Sequence, residues 1–193
     1  MKGILKIHEI PKIAFLYLFY KILPYMPLRM KHALAEWIAA ITCRGKKAAV
    51  MRSELQLLFG KDMLSEKEIK NIIKETLSNF RKDLFEIWTF PKINEKNIDD
   101  FCFAEGLEIL DKSLQRGKGI IIALCHFGSY KMILPYMGYK GYKIMQLAAN
   151  PLEFTGENES IITNKIMQLE MNSEKSLPTK FIYLGTNLRQ IYA

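Results

Sequence analysis

His126 is the side chain of this sequence best suited to carry a proton in a reaction near neutral pH. The residues before it, Ile120–Cys125, form a continuous apolar run typical of a strand buried on both faces of a parallel sheet. Chemistry in such sheets gathers beyond the carboxyl ends of the strands, which is where this run delivers the histidine. The sequence favours either a general base at His126 or a histidine that only makes a hydrogen bond at a strand end.

The residues after His126 suit a turn followed by an anion site. Gly128 permits a tight turn, and Ser129 can cap a short helix that we predict from Ser129 to Met137, with Pro135 bending or ending it. Free amides at the start of a helix attract anions. The candidate substrate-binding residues are therefore Gly128, Ser129, Lys118 and Lys143.

Positive charge dominates the sequence around His126. Residues 112–152 contain six Lys or Arg and no Asp or Glu, a pattern that suits phosphate binding but is also found on ordinary solvated surfaces. Lys131 lies five positions after His126, and Glu153 is the first carboxylate after this stretch. Because a nearby cation disfavours the imidazolium form, Lys131 is expected to make His126 a weaker base.

Neither a disulfide framework nor a metal site is predicted. The sequence has three cysteines, Cys43, Cys102 and Cys125, which are scattered and lack metal-ligand spacing, and its three histidines are equally isolated. We expect reduced, mostly buried thiols. Cys125 is expected to be a core residue rather than a nucleophile, because adjacent strand residues point to opposite faces and would separate it from His126.

The excess of positive charge belongs to the N-terminal part of the chain. Residues 1–60 hold ten Lys or Arg against three Asp or Glu, an excess of +7 within a total of +8. The most apolar run, Ile13–Leu23, lies here, and it is rich in aromatic residues but too short to span a bilayer. We predict that residues 1–30 form an apolar, basic arm at a membrane surface; the alternative is a buried helix of a soluble core. Nucleic-acid binding is not predicted, because no binding module accompanies the charge.

The hydrophobic pattern predicts a helical N-terminal layer on an α/β body. The clearest start of a helix is a capping box, Ser65 with Glu68, before an apolar stripe that ends near Pro91. Further helices are predicted at 33–42, 44–59, 104–116, 129–137 and 160–171, and from 186, and strands at 120–125, 143–148 and 181–184. This order predicts an open, mainly parallel sheet with flanking helices, in a single domain of residues 31–193.

Several segments resemble those of one protein family. Gly117–Tyr130, which contains His-Phe-Gly-Ser-Tyr, is similar to the His-Phe-Gly-Asn-Trp-Glu block of the lipid A biosynthesis (lauroyl/myristoyl) acyltransferases, proteins of the lysophospholipid acyltransferase type. The resemblance runs from about residue 40 onward, in the family's order and spacing. The other segments that carry it are Arg44–Phe59, Leu64-Ser65-Glu66, Gly106–Asp111 and Asn150-Pro151.

The resemblance implies an acyltransferase at the cytoplasmic face of the bacterial inner membrane. Such a protein would move a fatty acyl chain from an acyl carrier protein or CoA thioester to a hydroxyl of an anionic membrane lipid, lipid A-type or lysophospholipid, without a cofactor. His126 would be the general base, oriented in this family by an acidic residue five positions later. The family also continues beyond this point with a Gly-Arg-Gly-type segment, so we expect the chain, which ends at Ala193, to be C-terminally truncated.

Lys131 occupies the position of that acidic residue, and two hypotheses follow. Either a distant carboxylate such as Glu153 supports His126, or the protein is a non-catalytic relative that binds lipid or membrane and has lost the His–carboxylate relay. A soluble α/β domain whose resemblance is only historical is the third hypothesis.

Overall fold

Helices dominate the chain before residue 140, and a small parallel sheet follows. The computed structural model describes residues 9–60, 63–149 and 160–184. The α-helices in these ranges are α1 (Ile10–Ile22), α2 (Leu28–Thr42), α3 (Lys46–Phe59), α4 (Glu66–Ile87), α5 (Leu107–Leu114), α6 (Ile133–Tyr139) and α7 (Ile161–Glu174). The strands are β1 (Met145–Ala149) and β2 (Lys180–Leu184), and short 3-10 turns occupy Leu23–Tyr25, Phe90–Lys92, Ile98–Asp100 and Tyr130–Met132. The predicted fold class, a helical layer with a mainly parallel sheet, is confirmed.

Helix α4 begins at the predicted capping box. The Ser65 hydroxyl accepts a hydrogen bond from the Glu68 backbone N–H (3.3 Å), and the Glu68 carboxylate accepts one from the Ser65 N–H (2.8 Å). Apolar residues at helical spacing face the core, where Ile69 and Ile73 are each 2% exposed. Phe80 lies on the same apolar stripe but is 67% exposed. The stripe is therefore not covered along its whole length by the residues that the structure describes.

Apolar clusters join the helices in the described part of the chain. Helices α2, α3 and the first half of α4 meet around Ala39, Ala48, Ile69, Ile73 and Leu77. The segment after α1, helix α2, the end of α4 and helix α7 meet around Leu23, Ala35, Phe85, Trp88 and Leu169. The end of α4, α6 and the segment before β2 meet around Ile87, Phe90, Ile93, Ile98, Leu134, Tyr136, Met137 and Leu177. Burying each large apolar side chain contributes about 1.5–3 kcal/mol to the free energy of folding. These contacts therefore hold the end of α4 against α6 and α7.

The sheet pairs two of the three predicted strands. β1 and β2 run parallel, from Met145 opposite Lys180 to Ala149 opposite Leu184. Helix α7 lies between them in sequence, and its start is capped by the Ser160 hydroxyl, which accepts a hydrogen bond from the Thr163 N–H (3.1 Å). The strand predictions at 143–148 and 181–184 and the helix prediction at 160–171 are confirmed. The helix predicted from residue 186 lies outside the described residues.

The third predicted strand, Ile120–Cys125, is wrong. These residues have no regular secondary structure, and Ile121 is 97% exposed. A strand is stabilised by hydrogen bonds to a neighbour, and within the described ranges β1 pairs only with β2, so the run has no ladder to join. Cys125 is consequently exposed rather than part of the core, and Cys43 and Cys102 are half-buried.

Pro135 was predicted to bend or end a helix, but it lies in the first turn of α6. A proline is tolerated there because the N–H groups of the first turn have no intrahelical partner.

Helix α1, in the predicted N-terminal arm, has one covered and one uncovered face. Tyr20 packs edge-on against Trp88, with 5.4 Å between ring centroids, and its hydroxyl shares a hydrogen bond with the Ser173 hydroxyl (3.0 Å). On the other face Phe15 is 68% and Leu18 is 58% exposed. None of the described helices is both long and apolar enough to cross a membrane.

Candidate functional site

His126 lies in a tight loop beside the C-terminal half of α4. Its ring stacks on that of Tyr130, with 4.4 Å between centroids and 20° between planes. Gly128 has φ of +56°, so the predicted turn is present, and it adopts the left-handed backbone conformation that favours glycine. Ser129 does not cap a helix as expected; its hydroxyl donates a hydrogen bond to the Glu86 carboxylate (3.0 Å) instead. This bond ties the histidine loop to α4.

Lys131 is held between two carboxylates of α7. Its ammonium lies 2.6 Å from a Glu170 oxygen and 2.8 Å from a Glu174 oxygen. Burial lowers the pKa of Lys131, but the two carboxylates raise it more, so the pKa lies above its ordinary value and the side chain is charged. Burial raises the pKa of Glu174, against the opposing effect of Lys131. The two carboxylates thus offset the charge of Lys131, which reduces the electrostatic effect of Lys131 on His126.

Two acidic residues of α4 face the same loop, and the sequence reading did not identify them. Asp83 and Glu86 lie one turn apart and border a small pocket together with Ser129 and Lys131. Burial raises the pKa of Asp83, the charge of Glu86 raises it further, and the charges of Lys131 and His126 lower it. Asp83 is therefore a half-buried carboxylate within electrostatic range of His126. Its signal in the sequence is a pair of acids with i, i+3 spacing at the C-terminal end of an apolar stripe.

A large groove lies under the histidine loop. Its volume is about 950 Å³, at the upper end of the roughly 300–1,000 Å³ typical of ligand sites. Most of its walls are apolar, and one of them is formed by the exposed segment that was predicted as a strand. The apolar lining includes Ile93, Leu107, Leu110, Ile122, Leu124 and Phe127. Its polar lining includes a cluster of neighbouring residues, called here the polar end, and two further carboxylates, Asp100 and Glu105. The polar end consists of Lys31, His32, Glu86 and Thr89. A long hydrocarbon with a polar head matches this distribution.

A model of the family described as "Bacterial lipid A biosynthesis acyltransferase" matches residues 3–174 of the chain. The chain belongs to this family. No curated protein and no solved structure shows significant similarity to it. The match covers the histidine loop and the segments that form most of the apolar groove of this acyltransferase family member.

The remaining candidate residues of this family member do not gather at the groove. Lys118 and Lys143 are exposed, and neither lines it. Glu153, the carboxylate expected to support His126 through folding, lies outside the described residues. Within residues 9–60, 63–149 and 160–184, no group of His, Cys, Asp or Glu has the geometry of a metal site.

Proposed function

We propose that this chain catalyses O-acyl transfer from a fatty acyl thioester, carried by acyl carrier protein or CoA, to a hydroxyl of a membrane lipid. The acceptor is a lipid A-type lipid or a lysophospholipid. The observation that carries the proposal is that the loop bearing His126 borders the apolar groove: its neighbours Cys125 and Phe127 line the groove, although His126 itself does not. A substrate acyl chain in that groove would place its thioester beside the only loop that combines a histidine with a nearby carboxylate in the described residues.

In the proposed reaction His126 takes the proton of the acceptor hydroxyl. The lipid oxygen attacks the thioester carbonyl and forms the new C–O bond. The C–S bond then breaks, and the carrier thiol leaves with a proton returned from the imidazolium. Asp83, on α4, stabilises the imidazolium of His126. In the family, an acidic residue five positions after the histidine has this role. The place of Asp83 in the chain differs, but its charge acts on the same ring.

The second candidate function is binding of lipid without turnover. Lys131 at the family's acidic position favours it, because the relay expected from the chain order is absent. The paired state of Lys131 weakens the argument, since two carboxylates already offset its charge. Acyl transfer is therefore the better-supported function.

The test measures transfer of a labelled acyl group by the purified full chain in detergent. Donors are acyl carrier protein and CoA thioesters, and acceptors are a lysophospholipid and a lipid A precursor. We expect His126→Ala to lower the rate by about 10²–10⁴-fold, the usual contribution of a general base. We expect Asp83→Asn to lower it by roughly tenfold and to move the acidic limb of the pH–rate profile to lower pH. Glu75→Gln, at an exposed carboxylate on the same helix, is the matched control and should leave both unchanged.

Equal rates for wild type and His126→Ala would refute the role of the base. A pH profile that does not move in Asp83→Asn would reduce Asp83 to a structural residue. A wild-type chain that binds lipid but transfers no acyl group from either donor would favour the non-catalytic function.

We also propose that the protein works at an anionic membrane surface, the cytoplasmic face of the bacterial inner membrane. The uncovered face of α1 supports this, because Phe15 and Leu18 are exposed on it while Lys12 and Lys21 flank them. Liposome flotation tests it: Leu18→Asp should reduce flotation on anionic vesicles, and Ile109→Asp, a change at an exposed residue of α5, should not. Equal flotation of the Leu18→Asp variant and wild type would contradict the membrane role of α1.

A further inference from the structure

The polar end of the groove contains a buried lysine with unused hydrogen-bonding capacity. Lys31, on α2, is 3% exposed and lines the groove. Its ammonium donates one hydrogen bond, to the Thr89 hydroxyl at 2.7 Å, and that hydroxyl donates onward to the Phe85 carbonyl at 2.8 Å. No second acceptor bonds to Lys31 within the residues that the structure describes. Two of its three N–H bonds are therefore left without a partner, which is costly for a charged group away from water.

The neighbouring charged groups do not compensate Lys31 directly. Glu86 is the acidic residue whose charge acts on it, but the two form no ion pair. One Glu86 oxygen already accepts the hydrogen bond of Ser129 and lies 3.5 Å from the His32 ring nitrogen, Nε2. That nitrogen is itself buried without a hydrogen-bond partner among the described residues. This end of the groove thus presents an ammonium with one hydrogen-bond partner, Thr89, and an imidazole nitrogen with none among the described residues.

We infer that this end of the groove binds the carboxylate of a free long-chain fatty acid, with the hydrocarbon tail along the apolar walls. A carboxylate can accept hydrogen bonds from both spare N–H groups of Lys31 and also neutralise its charge, whereas a thioester or an alcohol is neutral and leaves the charge uncompensated. The inference deepens the proposed function, because it places a free fatty acid in the groove assigned to the acyl donor. Free fatty acid then competes with the donor for the same site.

Burial and charge at this end are consistent with an anionic head. Burial lowers the pKa of Lys31, and the charge of Glu86 raises it. A bound carboxylate adds a second anion beside the ammonium and favours its charged form further. The apolar residues that line the remainder of the groove, among them Leu107, Leu110 and Leu124, suit an unbranched chain.

The experiment is equilibrium binding of dodecanoate and dodecanol to the purified full chain, below the critical micelle concentration of dodecanoate and the solubility limit of dodecanol. The two probes have the same tail and differ only in head charge. We expect wild type to bind dodecanoate about tenfold or more tightly than dodecanol, the usual worth of a hydrogen bond to a charged group. Lys31→Met should bring the affinity for dodecanoate down to that for dodecanol and leave the affinity for dodecanol unchanged. Lys70→Met, which removes an exposed lysine of α4, is the matched control and should change neither.

Unchanged dodecanoate binding by Lys31→Met would overturn the inference, as would equal affinities of wild type for the two probes. Thermal unfolding followed by circular dichroism shows whether Lys31→Met folds; its dodecanol affinity reports the intact groove. The assay needs no turnover, so its outcome does not depend on whether His126 acts as a base. A protein that transfers no acyl group but binds dodecanoate through Lys31 would support this inference and contradict the proposed function. A protein that transfers acyl groups but does not bind dodecanoate would contradict this inference and support the proposed function.

Discussion

Replacing Lys131 by Met removes the cation from between Glu170 and Glu174. The Lys131 side chain is 25% exposed and those of Glu170 and Glu174 are 23% and 9% exposed, so the site lies between a surface pair and a buried one. Exposed ion pairs contribute about 0–1 kcal/mol, and removing one partner of a buried pair costs about 3–5 kcal/mol. We therefore expect Lys131→Met to lower the free energy of unfolding by about 2–3 kcal/mol at neutral pH.

The loss should depend on pH, and its sign follows from Glu174. Burial raises the pKa of Glu174 and Lys131 opposes this, so removing Lys131 raises the pKa further. A carboxyl whose pKa is higher in the folded than in the unfolded chain favours folding when it is protonated. The difference in the free energy of unfolding between Lys131→Met and wild type should be largest above the raised pKa of Glu174 and should decrease as the pH falls through that pKa.

Urea unfolding of the full chain, followed by circular dichroism at about pH 7.5 and about pH 5, measures both free energies. Lys131→Met with Glu174→Gln should recover part of the loss, because the buried charge is then gone. Lys70→Met is the control, and an exposed change of this kind should stay within about 0.5 kcal/mol of wild type. An equal loss at both pH values would refute the argument from Glu174, and no loss at either would refute the ion-pair cluster itself.

Three other predictions follow from local packing. Maleimide should alkylate Cys125 before Cys102, because Cys125 is exposed whereas burial raises the pKa of the Cys102 thiol; mass spectrometry that finds Cys102 modified first would contradict the position of the loop. Gly138→Ala should destabilise the protein by about 1–3 kcal/mol in urea unfolding, because the added Cβ would lie 2.8 Å from Pro178 Cγ; a neutral result would show that this contact relaxes. Ser65→Ala should cost about 1 kcal/mol by removing the cap of α4, and an unchanged urea midpoint would count against the capping box.

Local sequence features were sufficient to predict most of the helices and both observed strands. The capping box at Ser65 and the strand patterns at 143–148 and 181–184 depend on interactions among residues that are close in sequence. They can therefore be predicted from the sequence alone. Gly128 is a similar case, since a tight turn demands a residue that tolerates positive φ. Family membership is also carried by the order of such short segments, and the family model that matches residues 3–174 confirms it.

The tertiary structure decided which groups meet around His126. Asp83 lies 43 positions before the histidine, and only the packing of α4 against the loop brings its charge within range. The environment of Lys131 also depends on tertiary packing, because the two carboxylates that offset its charge belong to α7. The run Ile120–Cys125 shows the converse: its β-branched, apolar pattern is that of a buried strand, yet strand formation requires a neighbour to hydrogen-bond with, and that neighbour is supplied by the fold and not by the pattern.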